Sequence, residues 1–285
     1  MSREMRYFCV DFFRAFFDIL KWSRRKTNEK KIRKKIHLTT MGSYARCLLI
    51  TFATSTLHAQ FSVGMESAHI KRMRDGGTQQ NGRIDGIRLS YNRLQRFYFG
   101  GDYFYGSAKL IGHTGSQRPI SSILTDKVYE GRVGCSFSDK NHFFFLFSGY
   151  GYYHEVNDFF PPTPIPFKFT DTFNYIPVGF LSGVYSSSLL SMGFSFKMMF
   201  MQKAQTKISD DPAHDDVVLK MNEEINVRIE LPLVLSPSCT RMNLRFSLTP
   251  FYEFRHYGGR EDYPSDYLDT KFILLGARIA LVANF

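Results

Sequence analysis

Residues 243–257 read Asn243-Leu244-Arg245-Phe246-Ser247-Leu248-Thr249-Pro250-Phe251-Tyr252-Glu253-Phe254-Arg255-His256-Tyr257. Leu244, Phe246, Leu248, Pro250, Tyr252 and Phe254 fall on one side of a period-two repeat, and Asn243, Arg245, Ser247, Thr249, Glu253 and Arg255 fall on the other. Successive side chains of an extended chain point to opposite faces, so this is a strand with one oily and one charged face. The split recurs in 224–233, where Ile225, Val227, Ile229, Leu231 and Leu233 oppose Glu224, Asn226, Arg228 and Glu230. It recurs again in 190–200, where Leu190, Met192, Phe194, Phe196, Met198 and Phe200 oppose Ser191, Gly193, Ser195 and Lys197. Helical periodicity is almost absent from residues 60–285.

Turn signals divide that region into about ten strands, near 61–73, 82–92, 96–111, 123–138, 142–155, 168–184, 188–204, 217–233, 240–257 and 268–285. The connections at 92–96, 138–142, 184–188 and 233–240 are short, whereas 73–82, 111–123, 155–168, 204–217 and 257–268 are longer and polar. Strands of a soluble sandwich run about 5–6 residues, and crossing a bilayer takes about 9–11. The expectation is an all-β, transmembrane, antiparallel up-and-down β-barrel of about ten strands, with eight and twelve as neighbouring counts. Tyr98, Tyr103, Tyr105, Tyr150, Tyr152, Tyr153, Tyr175 and Tyr252 could supply interfacial girdles. Lys71, Arg72 and Asp85 interrupt the apolar face of the first two strands, which places them at the outer rim.

Ahead of this region, Arg46 precedes an apolar run from Cys47 to Leu57, followed by His58-Ala59-Gln60. The run is too short for a membrane helix, which needs about 20 residues. Its grammar is that of a signal peptide cut after Ala59. Residues 1–59 therefore read as a targeting segment and 60–285 as the barrel. Lys30-Lys31-Ile32-Arg33-Lys34-Lys35 belongs to a basic preface. Either translation starts near Met41 and the preface is lost with the signal, or it is a retained amphipathic arm. Of the 37 basic and 26 acidic residues in the chain, 13 and 4 lie in 1–59, which leaves 24 and 22 and a net charge of +2. A basic isoelectric point thus carries no argument for nucleic acid, and an exported chain meets none. Cys9 and Cys47 leave with the targeting segment; Cys135 and Cys239 stay, far apart in strand order and expected as free thiols.

The C-terminal stretch Phe272-Ile273-Leu274-Leu275-Gly276-Ala277-Arg278-Ile279-Ala280-Leu281-Val282-Ala283-Asn284-Phe285 places Ile273, Leu275, Ala277, Ile279, Leu281, Ala283 and Phe285 on one face. This resembles the C-terminal assembly signal of Gram-negative outer-membrane β-barrel proteins, with Ala283 standing where an aromatic is frequent. The resemblance implies residence in the cell outer membrane with both termini periplasmic. It also implies contact with outer-membrane lipid, and recognition of Leu281, Ala283 and Phe285 by barrel-insertion machinery. A surface ligand or host protein is the partner expected at the outer loops.

The inward face is expected to carry Asp102, Glu130, Arg132, Lys197, Arg228, Glu230, Arg245, Glu253, Arg255 and Arg278. Mixed charges in a narrow lumen read as a paired polar plug, or as a small pore whose charges select solutes. Ser209-Asp210-Asp211-Pro212-Ala213-His214-Asp215-Asp216 reads first as a solvated acidic loop. Asp210, Asp211, His214, Asp215 and Asp216 could alternatively bind a divalent cation or activate water. Size, strand count and this loop resemble the omptin proteases, ten-stranded barrels with an Asp-His pair facing a second acidic pair across the rim. The spacing here differs, and the loop 111–123 offers His113 without a carboxylate, so Glu261 and Asp262 would have to serve. His256 falls on an outward face near the rim. Phe159-Phe160-Pro161-Pro162-Thr163-Pro164-Ile165-Pro166-Phe167 is a stiff loop that either folds over the barrel mouth or offers its phenylalanines to a partner. Nothing calls for a cofactor: zinc-like cysteine spacings, phosphate loops and dinucleotide motifs are absent. The leading reading is a non-enzymatic surface or structural barrel, with a narrow channel or an outer-rim hydrolase as the alternatives.

Overall fold

The computed structural model describes residues 59–284 other than 75, 95–96, 139–141, 164–166, 186–188, 213–214, 223, 237–243 and 259–268. Residues 1–58 of the expected targeting segment, Phe285, Cys239, His214, Glu261 and Asp262 lie outside the described residues. The strand segments are β1 (Ala59–Arg74), β2 (Thr78–Leu94), β3 (Phe97–His113), β4 (Pro119–Ser138), β5 (His142–Phe160), β6 (Lys168–Tyr185), β7 (Leu190–Ser209), β8 (Val217–Lys220), β9 (Ile225–Glu230), β10 (Leu233–Leu235), β11 (Leu244–Tyr257) and β12 (Thr270–Asn284). All pairings are antiparallel, and β1 pairs with β12 from Gln60↔Asn284 to Arg74↔Thr270, which closes the sheet on itself. The segments β8, β9 and β10 are pieces of one path between β7 and β11, so the barrel has ten staves.

Local chemistry explains the broken stave. Pro232 has no N–H to give a ladder. The pairing resumes around it because Leu231 N donates to Pro250 O at 3.0 Å and Gly193 N donates to Pro232 O at 2.8 Å. On the facing strand Lys203 takes φ 54°, and the β6–β7 register slips between Thr172 and Asn174. That is the extra residue of a bulge, which bends and twists the strand.

The outward face of β1 changes character along its length. Near the end that holds Ala59 and Asn284, Phe61, Val63 and Met65 face out, and Met65 is 73% exposed while the neighbouring inward Glu66 is 4% exposed. Further along, His69 and Lys71 face out, while Ala68 and Ile70 are buried inside. The polarity of the two faces inverts in mid-strand. Other strands repeat the inversion: outward Ile87, Leu89 and Tyr91 give way to Asp85, Arg83 and Asn81 on β2, and outward Tyr129 and Val133 give way to Lys127 and Thr125 on β4. The terminal half of the barrel is inside out, as hydrocarbon demands. Its far half is built like a soluble β-barrel, with Ala68, Ile70, Ile84, Leu110, Leu124 and Phe272 packed inside. Among the described residues no helix is long and apolar enough to cross a membrane.

This inversion corrects part of the sequence reading. The strands run on through much of the stretches expected as loops, because polar residues there alternate too. The β1–β2 connection is a tight turn in which Gly76 and Gly77 take φ 81° and 79°, angles that favour glycine. Arg72, expected at the outer rim, points inward and is buried, while Lys71 is exposed. Asp85 lies mid-strand on the outer face, 3.0 Å from Arg83 Nε. Cys135 has outward parity, yet it is buried. Leu281 faces outward, with Ala283 two residues on.

Candidate functional site: the lumen

Alternation along each strand sends one set of side chains into the barrel, and there the residues of opposite walls meet. β11 and β4 are five staves apart in the ring of ten, which is diametrically opposite. Arg255 on β11 nevertheless donates from Nη1 to Asp126 Oδ2 on β4 at 2.6 Å, and to the Tyr153 hydroxyl on β5 at 2.5 Å. Its Nε donates to Glu253 Oε1 at 2.6 Å. Tyr257 and Tyr153 both donate to Glu155 Oε2, at 2.5 and 2.7 Å.

Towards the terminal end the network centres on Arg228. Its Nη1 donates to Glu253 Oε2 at 2.6 Å, its Nη2 to Glu66 Oε2 at 2.9 Å and its Nε to Glu230 Oε1 at 2.7 Å. Arg88 Nε also reaches Glu66, at 2.7 Å, and Arg278 lies 3.6 Å from Glu230. The second centre is Glu130, whose Oε2 accepts from Tyr175 at 2.7 Å and Lys197 at 2.8 Å. Arg132 pairs with Asp102, which also accepts from Ser90. Charge-assisted bonds of this kind are the strong ones, and each buried ion needs them to offset its desolvation.

The remaining layers are also filled. Tyr98, Phe145 and Phe147 pack together at the terminal end. In the far half Arg72 donates to Gln80 at 2.9 Å, and Gln80 to Ser122 at 2.9 Å. At the far mouth Phe159, Phe169 and Ile120 form a cluster with Phe167 and Ile208, and the Arg74 guanidinium lies 4.1 Å from the Phe169 ring centre. Thr163 ties the proline-rich loop to this cluster by donating to Ser121 O at 2.9 Å and accepting from Ser121 N at 3.0 Å. Of the loop's flanking phenylalanines, Phe159 and Phe167 stack on each other beside Phe169. Residues 164–166 fall outside the described residues.

All ten inward residues named from the sequence point into the lumen, nine of them within ion-pair distance of one another or of further buried groups. Arg245 shares their inward parity near the terminal end. Glu66, Arg88, Asp126, Glu155 and Asp171, and Arg72 against its expected place at the rim, are equally buried and lie outside the ten expected there. Their signal was available in strand parity: Glu66 sits between outward Met65 and Ser67, and Asp126 lies in register with Glu155, which lies in register with Asp171.

The acidic loop spreads its charges. Asp210 accepts from Lys168 Nζ at 2.7 Å, and Asp216 sits 2.7 Å from Lys207 Nζ. The Asp210 hydrogen bond raises Lys168 above the usual ammonium range. Asp215 is exposed, and Asp211 half-buried. Among the described residues no three of His, Cys, Asp and Glu gather as a metal site. His256 lies on the outer face, with Nε2 2.5 Å from Asp269 Oδ1 and Nδ1 3.7 Å from Glu224 Oε2.

No protein-family profile matches the chain, and no curated protein matches it by sequence. Solved structures do match by shape. The outer membrane protease OmpT of Escherichia coli superposes with a TM-score of 0.54 at 10% identity, over 82% of this chain and 99% of that one. The translocator domain of the autotransporter NalP of Neisseria meningitidis gives a TM-score of 0.45 at 10% identity, over 87% and 96%. The transport unit of the autotransporter AIDA-I of Escherichia coli gives 0.42 at 12%, over 86% and 98%. The fold is therefore that of the Gram-negative outer-membrane β-barrels, closed with ten strands.

Proposed function

We propose that this chain is a non-enzymatic outer-membrane barrel with a sealed lumen, which acts through its scaffold and the loops of its far end. Arg255 carries the reading: a side chain from one wall hydrogen-bonds the opposite wall, across the path a solute would take. In this reading both termini are periplasmic and the far half projects from the cell. The polar outer face of that half supports the orientation. The C-terminal strand, with outward Leu281 and Ala283 and then Phe285, is the handle for insertion machinery.

Two measurements test this. Purified barrel in planar bilayers is expected to give no discrete conductance, and reproducible voltage-dependent steps altered by Glu130→Ala or Arg228→Ala would favour the channel reading instead. An epitope inserted between Gly76 and Gly77 should be labelled by antibody on intact cells. Labelling only after the outer membrane is permeabilised would reverse the orientation. The hydrolase reading gains little from His256, because both of its ring nitrogens face carboxylates of the protein itself.

A further inference from the structure

Register places Phe61, Tyr91, Gly101, Gly131 and Tyr150 in one row across β1 to β5, all on the outward face. Two adjacent staves thus lack a side chain in the midst of large rings. Most strand glycines here relieve crowding, since a Cβ at Gly134 or Gly179 would collide with the neighbouring backbone. Gly101 and Gly131 differ. A Cβ at Gly131 would meet nothing within 4 Å, and one at Gly101 only the Glu130 carbonyl at 3.7 Å. Their effect is a groove of about 480 Å³ in the outer wall.

The groove is lined from β1 and β2 on one side and by a row of rings on β3 to β5 on the other. Phe61, Leu89 and Tyr91 line one side. On the other, Tyr103, Tyr129 and Tyr152 form a ring row with centroids 5.0 and 6.4 Å apart. The strands that carry Tyr91 and Tyr150 are about 14 Å apart, three strand spacings, which admits a hydrocarbon chain between the rings. The tyrosine row lies one register row short of the last outward apolar residues, Met65 and Ile87, near the level at which phenols sit in a bilayer. Immediately beyond Tyr129 on the same face stands Lys127, its Nζ 5.7 Å from the Tyr105 ring centre. Among the described residues no carboxylate lies within ion-pair distance of Lys127. A cation above a hydrocarbon-sized notch is the complement of an anionic amphiphile.

We infer that this wall binds a phosphate-bearing bilayer lipid, one acyl chain in the Gly101–Gly131 groove and the headgroup on Lys127. The inference rests on the membrane reading above. Continuity with the lipid-facing band decides for lipid over a second protein as the occupant.

The sole tryptophan of the chain is Trp22, so a reporter can be placed by Val133→Trp in a Trp22→Phe background, two residues from Gly131. A control reporter, Ile279→Trp, sits on β12, where the side chain is 65% exposed. Each protein is refolded into phosphatidylcholine vesicles that contain, at equal low mole fraction, either phosphatidylglycerol or phosphatidylcholine with brominated chains. The Val133→Trp reporter is expected to favour the brominated phosphatidylglycerol by about fivefold, the preference that one lysine confers near an anionic surface. The Ile279→Trp reporter should show none. Lys127→Gln should abolish the preference, and Gly131→Leu, which fills open space without meeting backbone, should cut quenching of the Val133→Trp reporter by both lipids. Equal quenching by the two lipids at Val133→Trp overturns the inference. So does loss of an oligomer in detergent on Gly131→Leu with quenching unchanged, which would make the groove a contact between copies. Absence of quenching at both reporters overturns the membrane reading itself and the inference with it.

Discussion

Arg228→Ala is expected to destabilise the folded barrel by about 3–5 kcal/mol, the usual cost of breaking a buried ion pair by removing one partner. Arg228 is 3% exposed and holds Glu66, Glu230 and Glu253 together, with its guanidinium 4.1 Å from the Phe251 ring centre. Alanine takes the shared cation from three buried carboxylates, leaving Glu66 to Arg88, Glu253 to Arg255 and Glu230 to Arg278, and it also removes a cation–π contact. The loss should appear as a lower urea midpoint for barrel in vesicles, followed by the gel shift between boiled and unboiled samples. Adding Glu66→Gln to Arg228→Ala should recover part of the loss, because it lowers the excess of carboxylates over guanidinium groups in the network. By contrast, Lys168→Ala at the rim breaks a solvated pair with Asp210 and should leave the midpoint nearly unchanged. A drop of the same size at both positions would mean that burial is not what makes the lumen network matter.

Much of the barrel was legible because hydrocarbon on one side and charges on the other force a period of two on residues 190–200 and 243–257. The same rule revealed the inward Arg228, Glu253 and Arg255. It failed on β1 and β2, and the reason is physical. Above the bilayer the outer face meets water and the inner face must fill itself, so Ala68 and Ile70 turn inward where Lys71 turns outward. A reading that expects one oily face from end to end sees Arg72 as an interruption at the rim, when it is a buried partner of Gln80. Glu66 escaped for a related cause. It is the lone carboxylate of β1, and its role depends on Arg88 and Arg228, the latter 162 positions away in the chain. The groove at Gly101 and Gly131 was equally invisible, since neither glycine follows a turn signal and their adjacency exists only across the β3–β4 register.

Gly151→Leu is the second substitution with a large expected effect, and it tests whether the lumen is closed by packing as well as by charge. Gly151 pairs with Tyr175 across β5 and β6, and the Tyr175 ring lies on the glycine so closely that a Cβ there would run into ring carbons. That placement aims the Tyr175 hydroxyl at Glu130, which also binds Lys197. A leucine must push the ring aside, and the added volume together with the lost hydrogen bond is expected to cost about 2–4 kcal/mol. Tyr175→Ala alone opens a void and takes one donor from Glu130, at a cost of similar size. If the two side chains compete for one space, the double variant should be more stable than the sum of the single losses implies, by about 1–2 kcal/mol. Strict additivity would show that Gly151 and Tyr175 do not depend on each other. Bilayer recordings of the same double variant then separate stability from closure. A barrel restored in midpoint yet newly leaky to ions would identify the Tyr175 ring as part of what keeps the lumen shut.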